Sequence, residues 1–211
     1  MTSVLLTGFE PFGGERVNPS WQAVSLLTGR RLDTVAVELP CVFSRSLVTL
    51  RDAIDEYRPD LVICVGQAGG RPDVTPERVA INLIDARIPD NAGSQPVDVP
   101  VIPGGPNAYF TTLPVKACVA GIMDAGLPAS VSHTAGTYVC NQVFYGLMHL
   151  LDNDFPGVRG GFVHVPYTPE QAARTTAPSL AVHRAAEALE IIVDTALSVT
   201  EDLSTPAGTL H

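Results

Sequence analysis

Short apolar runs alternate with segments of helical period along most of this chain, and that alternation leaves few architectures open. Residues 3–7 (SVLLT), 34–39, 61–65 (LVICV), 79–84, 129–132 and 161–165 (GFVHV) read as strands. Asn18 and Pro19 suit the N-cap and first position of a helix that carries Trp21, Val24 and Leu27 at helical spacing. Residues 43–57 place Leu47, Leu50 and Ile54 on one face, and residues 115–125, 139–151 and 181–197 continue the pattern. The run LVICV lacks polar alternation, as a strand buried on both faces requires. This order predicts an α/β fold, a three-layer α/β/α sandwich around a mostly parallel twisted sheet. Ligands of such sheets bind beyond the carboxyl ends of strands. Residues 8–17, 66–76, 134–138 and 166–169 follow strands and are the places to look for chemistry. Residues 89–114 have no helical period and are rich in Pro, Gly and Asn. A loop that long in a compact domain is functional or lies at an interface.

The 211 residues, 45% of them hydrophobic, suffice for one packed domain over 1–211, with the polar tail after about residue 200 expected to fray. A formal net charge of −9 repels phosphate backbones and anionic lipid, so neither nucleic acid nor a membrane is expected as a partner. No apolar run approaches the roughly 18 residues of a membrane span. The start MTSVLLTGFEPFGG has neither the basic region nor the long apolar region of a signal peptide, so a cytoplasmic location is expected. The mean hydropathy of +0.20 then points to buried elements or to subunit contacts. Cys41, Cys64, Cys118 and Cys140 form no C-x-x-C pair and no zinc spacing, which predicts free thiols and no metal.

Cys140 follows an Ala-Gly-Thr turn at a helix start, in TAGTYVCNQVFYGLMHLL. A cysteine in a first helical turn meets the positive end of the macrodipole, which favours thiolate, and the exposed N–H groups there can hold an oxyanion. The same residue also continues an apolar stripe with Val143, Phe144, Leu147 and Leu151, and from this segment alone reads more readily as core. Cys64 lies inside a strand run and Cys118 inside a helix; with Cys41 they read as inert buried thiols. His164 ends the strand that Pro166 stops, in GFVHVPYTPEQ. It is a candidate base or a core histidine bonded to a carbonyl. His133 also follows a strand and is a rival base, whereas His149 and His183 read as surface residues. Glu77 enters an apolar strand and needs a partner there. That partner is either Arg78 or Arg87 in an ion pair, or a histidine ring whose tautomer the carboxylate fixes. The glycine loops GFEPFGG and GQAGG fit no nucleotide fingerprint. Phe9 and Phe12 are two aromatics on a loop, which calls for a packing or binding reason.

Three segments, GFEPFGGE-x-x-NPSW, GQAGGR-x-x-x-TPERVAIN with DARIPDN, and AGTYVCNQVFYGL followed by GFVHVPYTPEQ, resemble the pyroglutamyl peptidase I family over residues 4–171. The resemblance implies a cysteine peptidase that removes an N-terminal pyroglutamyl residue from peptides without metal or organic cofactor. It implies Cys140 as nucleophile, His164 as base and Glu77 as the third member, with Arg87 near the oxyanion. His164 is then expected within hydrogen-bond reach of both Cys140 and Glu77. Phe9 and Phe12 would hold the pyroglutamyl ring, Ile88, Tyr138 and Val139 would complete the pocket, and Gln67 and Asn18 would meet the lactam. The resemblance also implies a homotetramer. Two other readings stand beside this one, a nucleoside-phosphorylase-like enzyme on a similar sheet and a pyroglutamyl-binding module without turnover.

Overall fold

In the computed structural model, which describes residues 3–173 and 175–208, the apolar runs form the middle layer. Strands β1 (Val4–Phe9), β2 (Thr34–Leu39), β3 (Leu61–Gln67), β4 (Thr75–Pro76) and β7 (Arg159–Val165) make one sheet in the order β2-β1-β3-β7-β4. All neighbours are parallel except β4 and β7. Helices α1 (Pro19–Thr28), α3 (Val115–Asp124) and α6 (Val182–Ser198) cover one face. Helices α2 (Ser46–Tyr57) and α4 (Val139–Asn153) cover the other. The three-layer sandwich expected from the sequence is present, and β3 is buried at every position, as its unbroken apolar run requires.

Asn18 caps α1 as its Asn-Pro pair predicts, its Oδ1 accepting from Ser20 N at 3.0 Å. Several expectations need correction. The run 79–84 contributes only β5 (Val79–Ile81), which leaves the main sheet and pairs antiparallel with β6 (Ala108–Phe110). The partner strand lies inside residues 89–114, so that segment is not all loop. Residues 129–132 form only isolated bridges, Val74 with Ala129 and Glu77 with Ser132. A short helix α5 (Pro169–Ala172) follows Thr168, which forms a reciprocal capping box with Gln171. His149 is not a plain surface residue: its Nδ1 meets the Tyr109 hydroxyl at 2.9 Å, and its ring stacks near Tyr145. Asp202 accepts from the N–H groups of Lys116 and Ala117 at the start of α3, and Ala207 packs on the core beneath. The tail's last three residues, 209–211, lie outside the described residues.

Candidate active site

The carboxyl ends of β3 and β7 lie side by side, with Gly66 in register with His164. Register partners on parallel strands point to the same face, about 4.8 Å apart. That face carries Cys64, Phe162 and α4. Helix α4 starts there and brings Cys140 down onto β3. A Cβ added to Gly66 would lie 2.9 Å from Cys140 Sγ and 2.8 Å from Phe162 Cζ. Glycine at 66 therefore leaves the space that the sulfur occupies, beside the strand that presents His164.

On the other side of β7, the chain passes from β4 into Glu77, whose N–H donates to Phe162 O at 2.9 Å. The Glu77 side chain is fully buried, and its Oε1 lies 2.6 Å from His164 Nδ1. Burial pushes the Glu77 carboxyl up, but the bond and charge of His164, a hydrogen bond from Ser132 and the charge of Arg71 together more than offset it and hold the group below its ordinary value. An ionised carboxylate can only accept, so Nδ1 is the donor in this contact. The partners of Glu77 are His164 and Arg71, whose Nη1 also lies 2.6 Å from Oε1. Neither Arg78 nor Arg87, the two cations named from the sequence, fills that role.

The expected contact between His164 and Cys140 is absent as a hydrogen bond among the described residues; the two share a face without being bonded. Nor does the helix start leave the thiol acidic. Burial pushes the Cys140 thiol up, nearby Cys41 and Glu77 add to this, and Arg71 opposes it. Burial thus favours the neutral thiol over the thiolate. Burial pushes Cys41, Cys64 and Cys118 up to about 12, in keeping with inert core thiols. His133, the rival base, is exposed and stands outside this constellation.

The first turn of α4 is uncapped. Tyr138 occupies the N-cap position and supplies no side-chain acceptor, so the leading N–H groups are available to a ligand. Three loops meet in front of it. Asn91 Nδ2 donates to Pro11 O (2.9 Å), Thr137 Oγ1 to Asp85 O (2.8 Å) and the Tyr138 hydroxyl to Pro89 O (3.0 Å). Phe12 packs against Tyr138 with ring centroids 6.0 Å apart, and Phe43 meets the same ring edge-on at 5.3 Å. Ile88 is exposed and faces the Gly13 turn. Gln67 accepts from Gln171 Nε2 at 3.0 Å, while its own amide N–H groups make no bond among the described residues. Arg87 is exposed and likewise makes no hydrogen bond there.

Other residues named from the sequence sit deeper than expected. Phe9 is not on a loop: it is the last residue of β1, buried against Phe162. Val139 is enclosed in the core at the first position of α4. Asn18 is committed to the cap, with its amide nitrogen donating to Glu10 O at 3.0 Å. Sequence reasoning passed over Arg71 and Phe43. The signal for Arg71 was a cation directly after a double-glycine turn and six residues before a carboxylate entering a buried strand. Phe43 carries no such signal, because only the fold brings it to Tyr138.

A family model described as pyroglutamyl peptidase matches residues 2–199. A pyrrolidone-carboxylate peptidase of Streptomyces coelicolor is 59% identical over 216 residues, covering 100% of each chain. One from Escherichia fergusonii is 57% identical over 215 residues with the same coverage. The crystal structure of pyroglutamyl peptidase I from Bacillus amyloliquefaciens superposes with a TM-score of 0.94 at 53% identity, covering 98% of this chain and 100% of that one. The pyrrolidone carboxyl peptidase from Thermococcus litoralis gives 0.93 at 36% identity, with the same coverage.

Proposed function

The chain belongs to the pyroglutamyl peptidase family, and from that premise we propose that it hydrolyses the amide bond after an N-terminal pyroglutamyl residue of peptides. Cys140 is the nucleophile, His164 the base, and Glu77 holds the imidazole. The observation that carries this reading is the convergence of the three on one face: the Cys140 sulfur over Gly66, His164 on the adjacent strand, and Glu77 Oε1 at 2.6 Å from Nδ1. In the reaction, His164 Nε2 takes the thiol proton as sulfur attacks the exocyclic acyl carbon. The leaving amine receives that proton from the imidazolium, and water hydrolyses the thioester to regenerate the thiol. The uncapped first turn of α4 supplies N–H donors for the oxyanion, with Arg87 beside it.

The pyroglutamyl ring is a neutral lactam, so its pocket wants apolar walls and a few amide partners. Phe12, Tyr138 and Ile88 form the accessible wall. Phe9 and Val139 support it from behind, and the free amide N–H groups of Gln67 face the lactam carbonyl. A linear N-terminal residue carries an ammonium, and burying that charge without a counter-ion is costly.

The test is release from a fluorogenic pyroglutamyl amide. Cys140→Ala should abolish turnover, and a thiol-alkylating reagent should silence the wild type. Turnover that survives either change sinks the assignment of the nucleophile. We further read residues 1–211 as one cytoplasmic peptidase domain, supported by four unpaired thiols. We read the assembly as a homotetramer, supported by exposed apolar side chains such as Phe110, Met123 and Val48. Sedimentation as a lone 22.3 kDa species would overturn the tetramer.

A further inference from the structure

Glu77 does not hold His164 alone, because Arg71 binds the same carboxylate oxygen. We propose that Arg71 is a positioning residue for the reaction: it fixes the Glu77 oxygen that orients the imidazole and ties it to the segment that leads into the Cys140 helix. This rests on the peptidase reading above.

The chain delivers Arg71 through a tight turn at the end of β3. Ala68 N–H donates to Val165 O at 2.9 Å, and Arg71 N–H to Ala68 O at 3.3 Å. At Gly69 an added Cβ would lie 2.1 Å from Tyr167 Cζ, so the Tyr167 ring packs on the turn and would have to move for any larger residue. The turn sends the guanidinium back across β4. Its Nη1 donates to Thr75 Oγ1 (2.9 Å), Glu77 Oε1 (2.6 Å) and Ser132 Oγ (3.2 Å), and Nη2 donates to Thr134 O (2.8 Å). One planar group thus joins β4, Glu77 and residues 132–134, and the last of these run directly into the turn before Cys140. A lysine ammonium is a point charge on a flexible stem and cannot span these acceptors in the same way.

The need for such a group is physical. Glu77 is fully buried, and its second oxygen, Oε2, has no partner among the described residues. With Arg71 removed, the carboxylate would keep the imidazole and the Ser132 hydroxyl, neither of which is a permanent charge. A buried carboxylate would then lack a lasting counter-charge, and its rotation would be free to carry the ring with it. The Arg71 cation also favours the ionised form of Cys140, the form that attacks.

A cavity of about 370 Å³ opens onto Arg71 between residues 71–75 and 130–134. It gives a free guanidinium ion access to the space that a truncated side chain would leave. The experiment compares Arg71→Ala and Arg71→Lys with wild type, each with and without low, non-denaturing guanidinium chloride or methylammonium chloride. Arg71→Ala should lose roughly ten- to a hundredfold in kcat, the range found for outer partners of reacting groups, with KM unchanged. Guanidinium should restore part of that loss, methylammonium should not, and Arg71→Lys should fall between. Wild-type kcat in Arg71→Ala overturns the proposal. So does an effect confined to KM, a kcat loss that neither guanidinium nor lysine relieves, or loss of the fold in both variants. Cys140→Ala, assayed alongside, separates the two readings. If it remains active, the peptidase reading fails. If it is dead while Arg71→Ala is normal, only the positioning role fails.

Discussion

At Gly66 the lack of a side chain decides where the sulfur can sit. The residue is in register with His164 and on the same face, and the space a Cβ would take is filled by Cys140 Sγ and the Phe162 ring. Gly66→Ala should therefore displace the thiol or force the ring aside. Overpacking of this kind costs about 1–3 kcal/mol. The expected outcome is a lower thermal midpoint together with a fall in kcat on the pyroglutamyl amide. A lower midpoint with unchanged kcat would mean that the ring alone yields and that the sulfur is not held there. At this scale the sequence was only partly legible. His164 and Glu77 each had an ordinary structural reading of equal standing, Cys140 read more readily as core, and the family motifs rather than residue chemistry pointed to the catalytic reading. Arg71 was passed over because its one signal, a cation after a double glycine and six residues before Glu77, becomes a contact only when the chain reverses at residues 68–71.

Helix α4 carries the site and also anchors the small sheet beside it. Asn141, the residue after Cys140, is buried; its Oδ1 accepts from Ile81 N (3.1 Å), and its Nδ2 donates to Ile81 O and Leu83 O, each at 2.9 Å. A polar residue in the apolar first turn of this helix thereby satisfies backbone groups at the end of β5 that have no sheet partner there. Asn141→Ala would leave Ile81 N and Leu83 O without this partner, while Ile81 O keeps its bond from Leu83 N, at a cost of about 1–3 kcal/mol. Urea unfolding should show a lower midpoint with the slope preserved; an unchanged midpoint would mean that water or a shifted loop replaces the amide. Long periodic elements such as α4 and α6 were readable from the sequence because burial of one face dictates their pattern. The run 79–84 was misplaced for the converse reason. Its apolar residues are equally suited to the main sheet and to a local hairpin, and the partner that settles the matter, β6, is three residues inside a segment without period.

Across the molecule the sheet separates two packed cores. One lies under α1, α3 and α6 and is closed by the returning tail through Asp202 and Ala207. The other lies under α2 and α4 and contains Phe9, Phe162 and Val139, the inner support of the proposed pocket. The thin middle layer joins them, so a small change of volume in the first core reaches the site only through the sheet. Substitutions that are well separated and share no partners act independently to within a few tenths of a kcal/mol. Ile192, fully buried on α6 in the first core, tests this division. Ile192→Val removes one methylene and should cost about 1 kcal/mol, which for a chain of this size lowers the thermal midpoint by about 2–4 °C. Well below that midpoint, kcat/KM on the pyroglutamyl amide should equal that of the wild type. The matched change in the second core, Val143→Ala on α4, should lower both stability and kcat/KM, because Val143 packs behind the turn that carries Cys140. If Ile192→Val also lowers kcat/KM at a temperature where the protein is fully folded, the sheet transmits packing changes across its thickness and the two cores act as one.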